Sequence, residues 1–442
     1  MEVLEITGNK KVQNAWAMYD WANSVYSLVI TSTIFPVYFN GVTKSDEYGD
    51  VVSFFGFKIV NTVLYSYSIS FSFLVIALIS PLLSGVADYS GKKLFFMKLF
   101  AYLGSIACIG LFFFDSSNLE YGIICAVLAS IGYAGSIVFY NAFLPEIATE
   151  EEFDFLSARG FALGYVGSVM LLVLNLFMIQ SPETFGLADG GQAARWSFLI
   201  TGFWWAGFAQ IPFKYLPDNP YNRKVKKALF LKGYREINKI FQIVKKTTVM
   251  HRFLAAFFFY SMGVQTVMYL AATFGDKELG LPGDKLIITI LIIQIVAIVG
   301  SYLFAYLSKN LGNKISLVIM VFVWVLICGA AYYVTNEYQF YALAFVVGMV
   351  MGGIQSQSRS TYSKLIPKDT TQHASFFSFY DVTEKIAIVL GTFSYGIIEQ
   401  ITGNMRNSSL ALGLFFFVGL GFLLLLRIPK QDFQNIVETK NA

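Results

Sequence analysis

Ser84-Gly85-Val86-Ala87-Asp88-Tyr89-Ser90-Gly91-Lys92-Lys93 is the stretch whose reading decides the fold. An apolar run, 60–87, ends in it and a second, 94–114, begins directly after it. A bilayer core of ~30 Å takes about 20 apolar residues wound as helix, so each run is long enough to cross. Gly91 permits a tight turn. Asp88 suits the positive N-terminal end of a neighbouring helix, and Lys92 and Lys93 suit water. The stretch therefore reads as a short polar loop joining two membrane helices.

Ten further runs follow the same rule, giving twelve in all: 15–39, 60–87, 94–114, 119–144, 158–179, 196–216, 253–274, 286–308, 315–335, 339–362, 375–398 and 409–427. A spanning strand needs only about 10 residues and alternates apolar with polar; these runs do neither, so the fold class is all-α and polytopic. Composition agrees. Of 442 residues, 56% are hydrophobic and 14% charged, against about a quarter charged in soluble domains. A soluble enzyme, a secreted domain and a disordered regulator are excluded. Cys108, Cys125 and Cys328 sit singly in apolar runs, without the paired spacing of a disulfide framework or zinc site. His251 and His373 lie outside those runs, which argues against a metal centre or a histidine proton relay. No cofactor is expected. The first run reads as a retained anchor rather than a cleaved leader.

Twelve crossings put both termini on one side. With that side cytoplasmic, every Lys and Arg except Lys44, Lys58, Arg195, Lys277, Lys285 and Arg406 falls in or beside a cytoplasmic segment, as the positive-inside rule demands. The longest polar stretch, 217–252, carries Arg223, Lys224, Lys226, Lys227, Lys232 and Arg235. It divides the chain into a bundle at 1–216, a basic cytoplasmic linker and a second bundle at 253–442. The linker reads as a solvated connection, with an amphipathic segment on anionic lipid as the alternative; nucleic acid is not expected as a partner.

The two bundles echo one another. Gly91-Lys92-Lys93 follows the second run and Gly312-Asn313-Lys314 the eighth, 221 residues later. Pro145 follows Tyr140 as Pro367 follows Tyr362, at an offset of 222. A six-helix unit used twice is how secondary transporters build two halves around a central site.

The opening stretch resembles the loop signature of the major facilitator superfamily, Gly-x-Leu-Ala-Asp-Arg-x-Gly-Arg-Lys, with Ser84 for the first Gly and Tyr89 for the Arg. Closer likeness runs through Trp16-Ala17-Met18-Tyr19-Asp20-Trp21-Ala22-Asn23-Ser24, Tyr140-Asn141-Ala142-Phe143-Leu144-Pro145-Glu146, Ser157-Ala158-Arg159-Gly160-Phe161-Ala162-Leu163-Gly164-Tyr165, Trp204-Trp205, and Gly353-Ile354-Gln355 with Ser358-Arg359-Ser360. Together these resemble the vacuolar amino-acid effluxer branch and its bacterial relatives, over residues 14 to 428. In the seventh run that family reads Tyr-Asn-Asp-Gly-x-Gln-Thr, and Met262 stands where its carboxylate would be. The resemblance implies runs one, four, seven and ten around a central cavity and transport of an amino acid or similar small polar metabolite, as efflux. It also implies no enzymatic activity.

Polar side chains recur at helical spacing in those four runs: Asp20, Asn23, Ser24, Ser27 and Thr31; Tyr133, Ser136 and Tyr140; Ser261, Gln265 and Tyr269; Gly348, Gly352, Gln355 and Arg359. Buried in lipid they are costly, so they face a cavity or hydrogen-bond between helices. The substrate-binding candidates are Asp20, Asn23, Ser27, Tyr133, Tyr140, Gln265, Tyr269 and Gln355. Asp20, the one carboxylate on these faces, is the candidate for proton coupling, with a structural pairing to Arg359 as the alternative. The Gly160, Gly164, Gly167 and Ser168 ladder reads as close helix packing.

The gate and loop candidates are Asp88, Gly91, Lys92, Lys93, Glu146, Arg159, Lys309, Arg359, Asp381, Glu384 and Lys385. Repeat-equivalent positions carry opposite charge: Asp88 and Lys309, Glu146 and Lys368, Arg159 and Asp381. Lys309 is expected to face Glu150, Glu151, Glu152 and Asp154, and Asp88 to face the start of run eleven near Lys385, when the halves close on the cytoplasmic side. The expected partners are a small-molecule substrate, a proton where transport is coupled, and the lipid bilayer, with the protein a monomer. The expected location is the inner cell membrane, or a vacuolar membrane in a eukaryote. A receptor or scaffold on the same fold is the alternative function; a membrane enzyme would need paired carboxylates or a metal set at one depth.

Overall fold

The computed structural model describes residues 6–44, 49–218 and 229–426, with residues 229–237 and 284 as backbone. Twelve long helices form its bundle: span one Lys10–Thr43, two Asn61–Ser90, three Lys93–Phe113, four Leu119–Ile147, five Phe153–Gln180, six Gly190–Tyr215, seven Thr248–Leu279, eight Gly283–Leu311, nine Asn313–Tyr333, ten Glu337–Leu365, eleven His373–Thr402 and twelve Met405–Leu424. Ten are long and apolar enough to cross a membrane. Spans six and eleven, of 26 and 30 residues, pack in the same bundle but are more polar; span eleven carries Asp381, Glu384, Lys385 and Glu399. Phe71, Leu78, Ile106, Val299, Leu414 and Phe417 are more than half exposed. Among the described residues of these helices, such apolar side chains suit lipid rather than water.

Spans one, five and six pack together, span three packs on four and on six, and eight on ten, while seven packs on eleven and twelve. Between the halves, span two lies on eleven and span five on eight and ten. Glycine sets the closest approaches. A Cβ on Gly300 would strike the Met349 carbonyl, and one on Gly352 the Ala297 carbonyl, so spans eight and ten meet backbone to backbone. In span five, a Cβ on Gly160 would lie 2.5 Å from Asp20 Oδ2 and one on Gly164 2.5 Å from Ser24 Oγ, which is the close packing expected of that ladder. Gly91 at φ +73° and Gly312 at φ +87° turn the chain at corresponding points of the two halves.

Several local features differ from expectation. Residues Tyr26–Ile34 of span one are wound as π-helix. The i→i+5 bonding of that winding rephases the polar face, so Ser32 takes the place expected of Thr31; the Ser32 hydroxyl donates to the Ser27 carbonyl at 2.8 Å. A two-stranded hairpin, Val51–Phe54 against Phe57–Val60, stands between spans one and two. The linker contains a helix, Leu229–Lys246, that packs on span two and buries Ile240 and Val244, and span seven starts at Thr248 rather than 253. Arg223, Lys224, Lys226 and Lys227 lie outside the described residues, as does everything after 426.

A cavity between the halves

A cavity of about 180 Å³ lies between the halves, lined from spans one, two, four, five, seven, eight, ten and eleven. Span one contributes Asp20, Ser24, Ser27 and Ser32, span four Tyr133, and span seven Ser261, Gln265 and Tyr269. Gln355 and Arg359 come from span ten, Glu384 and Lys385 from span eleven. Several of these groups are already held by neighbours. Gln265 Nε2 donates to Glu384 Oε1 at 2.9 Å, and the Tyr165 hydroxyl donates to Gln355 Oε1 at 2.6 Å across the halves.

The cavity floor is an ion pair. Arg359 is 3% exposed, and its guanidinium reaches Asp20 Oδ2 at 3.2 Å. Its Nη1 also donates to Asn141 Oδ1 at 3.2 Å, its Nη2 to the Ser157 carbonyl at 2.8 Å and its Nε to Ser157 Oγ at 2.9 Å. Asp20 Oδ2 accepts a further bond from the Tyr140 hydroxyl at 2.8 Å. The guanidinium lies over the rings of Phe161 and Trp16, with its carbon 4.3 and 4.8 Å from their centroids. A planar cation with five donors suits this cage; an ammonium could not fill all of it.

Further towards the end of the bundle where span one starts and span twelve stops, Asp154 joins the halves again. It accepts from Asn313 Nδ2 at 2.8 Å, Lys364 Nζ at 2.8 Å, Ser308 Oγ at 3.2 Å and the Ser360 hydroxyl. Glu146 is paired with Lys93 and lies 2.8 Å from His373 Nδ1. Lys368 meets Glu150 at 3.1 Å. The Asp88 carboxylate accepts the backbone N–H groups of Ala374 at 3.1 Å and Ser375 at 2.7 Å, capping span eleven. At the same end, burial opposes the charge of Glu152. Hydrogen bonds from Lys10 Nζ, the Thr149 N–H and Gln13 Nε2 outweigh it and hold that carboxyl below its usual range. The described hydrogen bonds and ion pairs between the halves lie at this end or at the cavity.

Asp20, Ser27, Tyr133, Gln265, Tyr269 and Gln355 all come together on the cavity wall. Asn23 and Tyr140 do not: Asn23 is buried on the flank of span one, and Tyr140 stacks on Trp16 at 4.5 Å beneath the floor. The span-ten face also divides, with Gly348 and Gly352 turned to span eight and only Gln355 and Arg359 to the cavity.

The gate expectations are corrected at five points. Lys309 is exposed and meets none of the acids proposed for it; Lys364 and Lys368 hold Asp154 and Glu150 instead. Asp88 caps span eleven but does not approach Lys385. Lys93 is buried against Glu146 rather than solvated. Arg159 is exposed and bonds Asn14 within its own half. Asp381, Glu384 and Lys385 lie eight to twelve residues into span eleven, about 12–18 Å from its start at 1.5 Å per residue, beside the cavity and not at the gate. Asp20 is therefore not the sole carboxylate near the cavity. Lys364, Asn141 and Asn313 were missed. The signal available for Lys364 was its place five residues beyond Arg359 at the end of the polar run 355–364, too polar to face lipid.

Two six-helix halves, a polar cavity between them and a charged closure at one end define a major facilitator membrane transporter. Solved structures agree on the fold. The human organic anion transporter MFSD10 (TETRAN) superposes with a TM-score of 0.71 at 10% identity, covering 94% of this chain and 99% of that one. The E. coli fucose:proton symporter FucP gives 0.66 at 13%, covering 95% and 98%. The chain belongs to the family described as vacuole effluxer Atg22 like, whose model matches residues 8–154 and 151–434. An uncharacterized MFS-type transporter of Bacillus subtilis, YxiO, is 29% identical over 98% of each chain. Autophagy-related protein 22-1 of Penicillium rubens is 23% identical over 89% of this chain and 80% of its own. The protein is a transporter, not an enzyme.

Proposed function

We propose that this protein is a secondary active transporter that exports an amino acid or similar small polar metabolite by alternating access. The observation that carries the reading is the cavity between the halves, lined by the neutral donors and acceptors Gln265, Gln355, Tyr133 and Tyr269 beside the paired Glu384 and Lys385, and shut at one end by the Arg359–Asp20 floor. Gln265 and Gln355 both donate and accept, which suits a zwitterion without a large desolvation cost. With the termini cytoplasmic, the closed end is the cytoplasmic one and the conformation described is outward-facing. Export is supported by the effluxer family to which the chain belongs. Asp20, bound by Arg359 and Tyr140, is a structural partner of the closure.

The test is uptake of pooled radiolabelled L-amino acids into proteoliposomes, with and without a pH gradient. Saturable uptake is expected, and Gln265→Ala and Gln355→Ala each raise KM up to about tenfold, the worth of a lost hydrogen bond of ~1–1.5 kcal/mol. Wild-type protein that inserts but carries nothing in any gradient would overturn the reading.

A further inference from the structure

Span eleven carries an unusual load for a membrane helix. Asp381, Glu384 and Lys385 occupy one and a half turns, and fully ionised they sum to one negative charge. Lys385 Nζ lies 3.1 Å from Asp381 Oδ1 and 3.4 Å from Glu384 Oε2, so one ammonium serves two carboxylates. Glu384 opens to the cavity, its side chain 21% exposed, and its other oxygen accepts from Gln265. Asp381 lies behind the wall with its side chain 3% exposed, and its Oδ2 is buried with no hydrogen-bond partner. A bare carboxylate oxygen in that position is costly, whereas a neutral acid there costs far less.

The surroundings offer little to offset the charge. Tyr133 of span four lies within electrostatic reach of Lys385, Tyr269 of span seven within reach of Lys385 and Glu384, Tyr260 of span seven within reach of Glu384, and Tyr380 of span eleven itself within reach of Asp381 and Glu384. Span two contributes the ring of Phe73, 5.6 Å from the Lys385 ammonium. Arg359 of span ten is committed to Asp20 and Ser157. Span twelve has one charged residue, Arg406, held by Glu278. On the linker helix, Phe241 stacks on Phe379 while Lys239, Lys245 and Lys246 are exposed. Among the described residues, Lys385 is the one cation within ion-pair distance of Asp381.

We propose that Asp381, Glu384 and Lys385 form a proton-binding site beside the cavity, with the proton held on Asp381. It arrives from cavity water by way of the Glu384 side. An O–H bond forms on the carboxylate as one breaks on hydronium, and nothing is oxidised or reduced. Protonation makes the triad neutral and frees Lys385 to turn wholly to Glu384. A neutral triad can then be sealed from water when the halves rock, and a charged one resists it. The use of the site in transport rests on the transporter reading; its existence does not.

Infrared difference spectra of the purified full-length protein between pH 5 and pH 8 test the site without a substrate. The wild type is expected to show a titrating carboxylic-acid C=O band that Asp381→Asn removes. In Lys385→Met the midpoint of that band rises by about one unit or more, because an opposite charge within ~4–6 Å holds a carboxyl down by 1–3 units. The second variant decides the matter if the first fails to fold. A band unchanged by Asp381→Asn, a midpoint unmoved in Lys385→Met, or no titrating band would each overturn the proposal. The flux assay separates the two ideas: absence of any flux with the infrared result intact removes the transporter reading alone.

Discussion

Arg359→Leu is expected to lower gradient-driven uptake by more than about a hundredfold and to leave the floor of the cavity open. The guanidinium ties span ten to Asp20 of span one, Asn141 of span four and Ser157 of span five, so it holds across the two halves. Removing one partner of a buried ion pair costs about 3–5 kcal/mol, because the other charge is left uncompensated. Since 1.4 kcal/mol is tenfold in a two-state balance, the closed state loses a factor on the order of a hundred to several thousand. Maleimide labelling of Ser356→Cys, a position buried against Ser157 in the closed end, reads the change directly. The native cysteines Cys108, Cys125 and Cys328 are buried and give little background. Asp20→Asn placed on Arg359→Leu restores part of the closure by removing the stranded carboxylate, a coupling that a double-mutant cycle isolates. Equal labelling of wild type and Arg359→Leu would deny Arg359 its closing role.

Asp154→Ala is expected to have the next largest effect. Its carboxylate gathers Ser308 at the end of span eight and Asn313 at the start of span nine with Ser360 and Lys364 of span ten. Hydrogen bonds to a charged group contribute about 1.5–3 kcal/mol each, but Lys364 is partly exposed and regains water, so the net loss is ~2–4 kcal/mol. Closed-state occupancy should fall about thirtyfold or more, seen as faster labelling of Ser356→Cys with normal membrane insertion. Labelling at the wild-type rate would place the closure elsewhere at that end.

How much of this was legible in the sequence follows from the physics of each feature. Apolar run length shows the spans, because a bilayer sets their minimum, and the Gly91 and Gly312 turns mark the repeat. Helical spacing placed Gln265, Tyr269, Tyr133 and Gln355 toward one interior space. It failed where the winding changes: the π-helical stretch after Val25 brings Ser32 rather than Thr31 to the wall. The sign of the half-repeat was legible, but its partners were not. Both acids sit in the first half: Asp88, in the last turn of span two, meets the start of span eleven, and Asp154, at the start of span five, meets the end of span eight and the start of span nine. Lys309 looked like the partner because it is the repeat-equivalent of Asp88, yet its side chain points to solvent, and Lys364 reaches Asp154 from a different helix. The span-eleven triad was visible as charges inside a long helix, and only its depth beside the cavity separates it from a gate.

The most direct measurement of alternating access is counterflow of radiolabelled L-amino acids in proteoliposomes carrying Glu150→Cys and Lys368→Cys. These positions are joined across the halves by an ion pair at 3.1 Å in the closed end. A short bis-maleimide linking them holds that end shut. The linked protein is expected to lose counterflow while the same variant capped with a monofunctional maleimide keeps it. Counterflow undiminished in the fully linked protein would contradict alternating access through this closure.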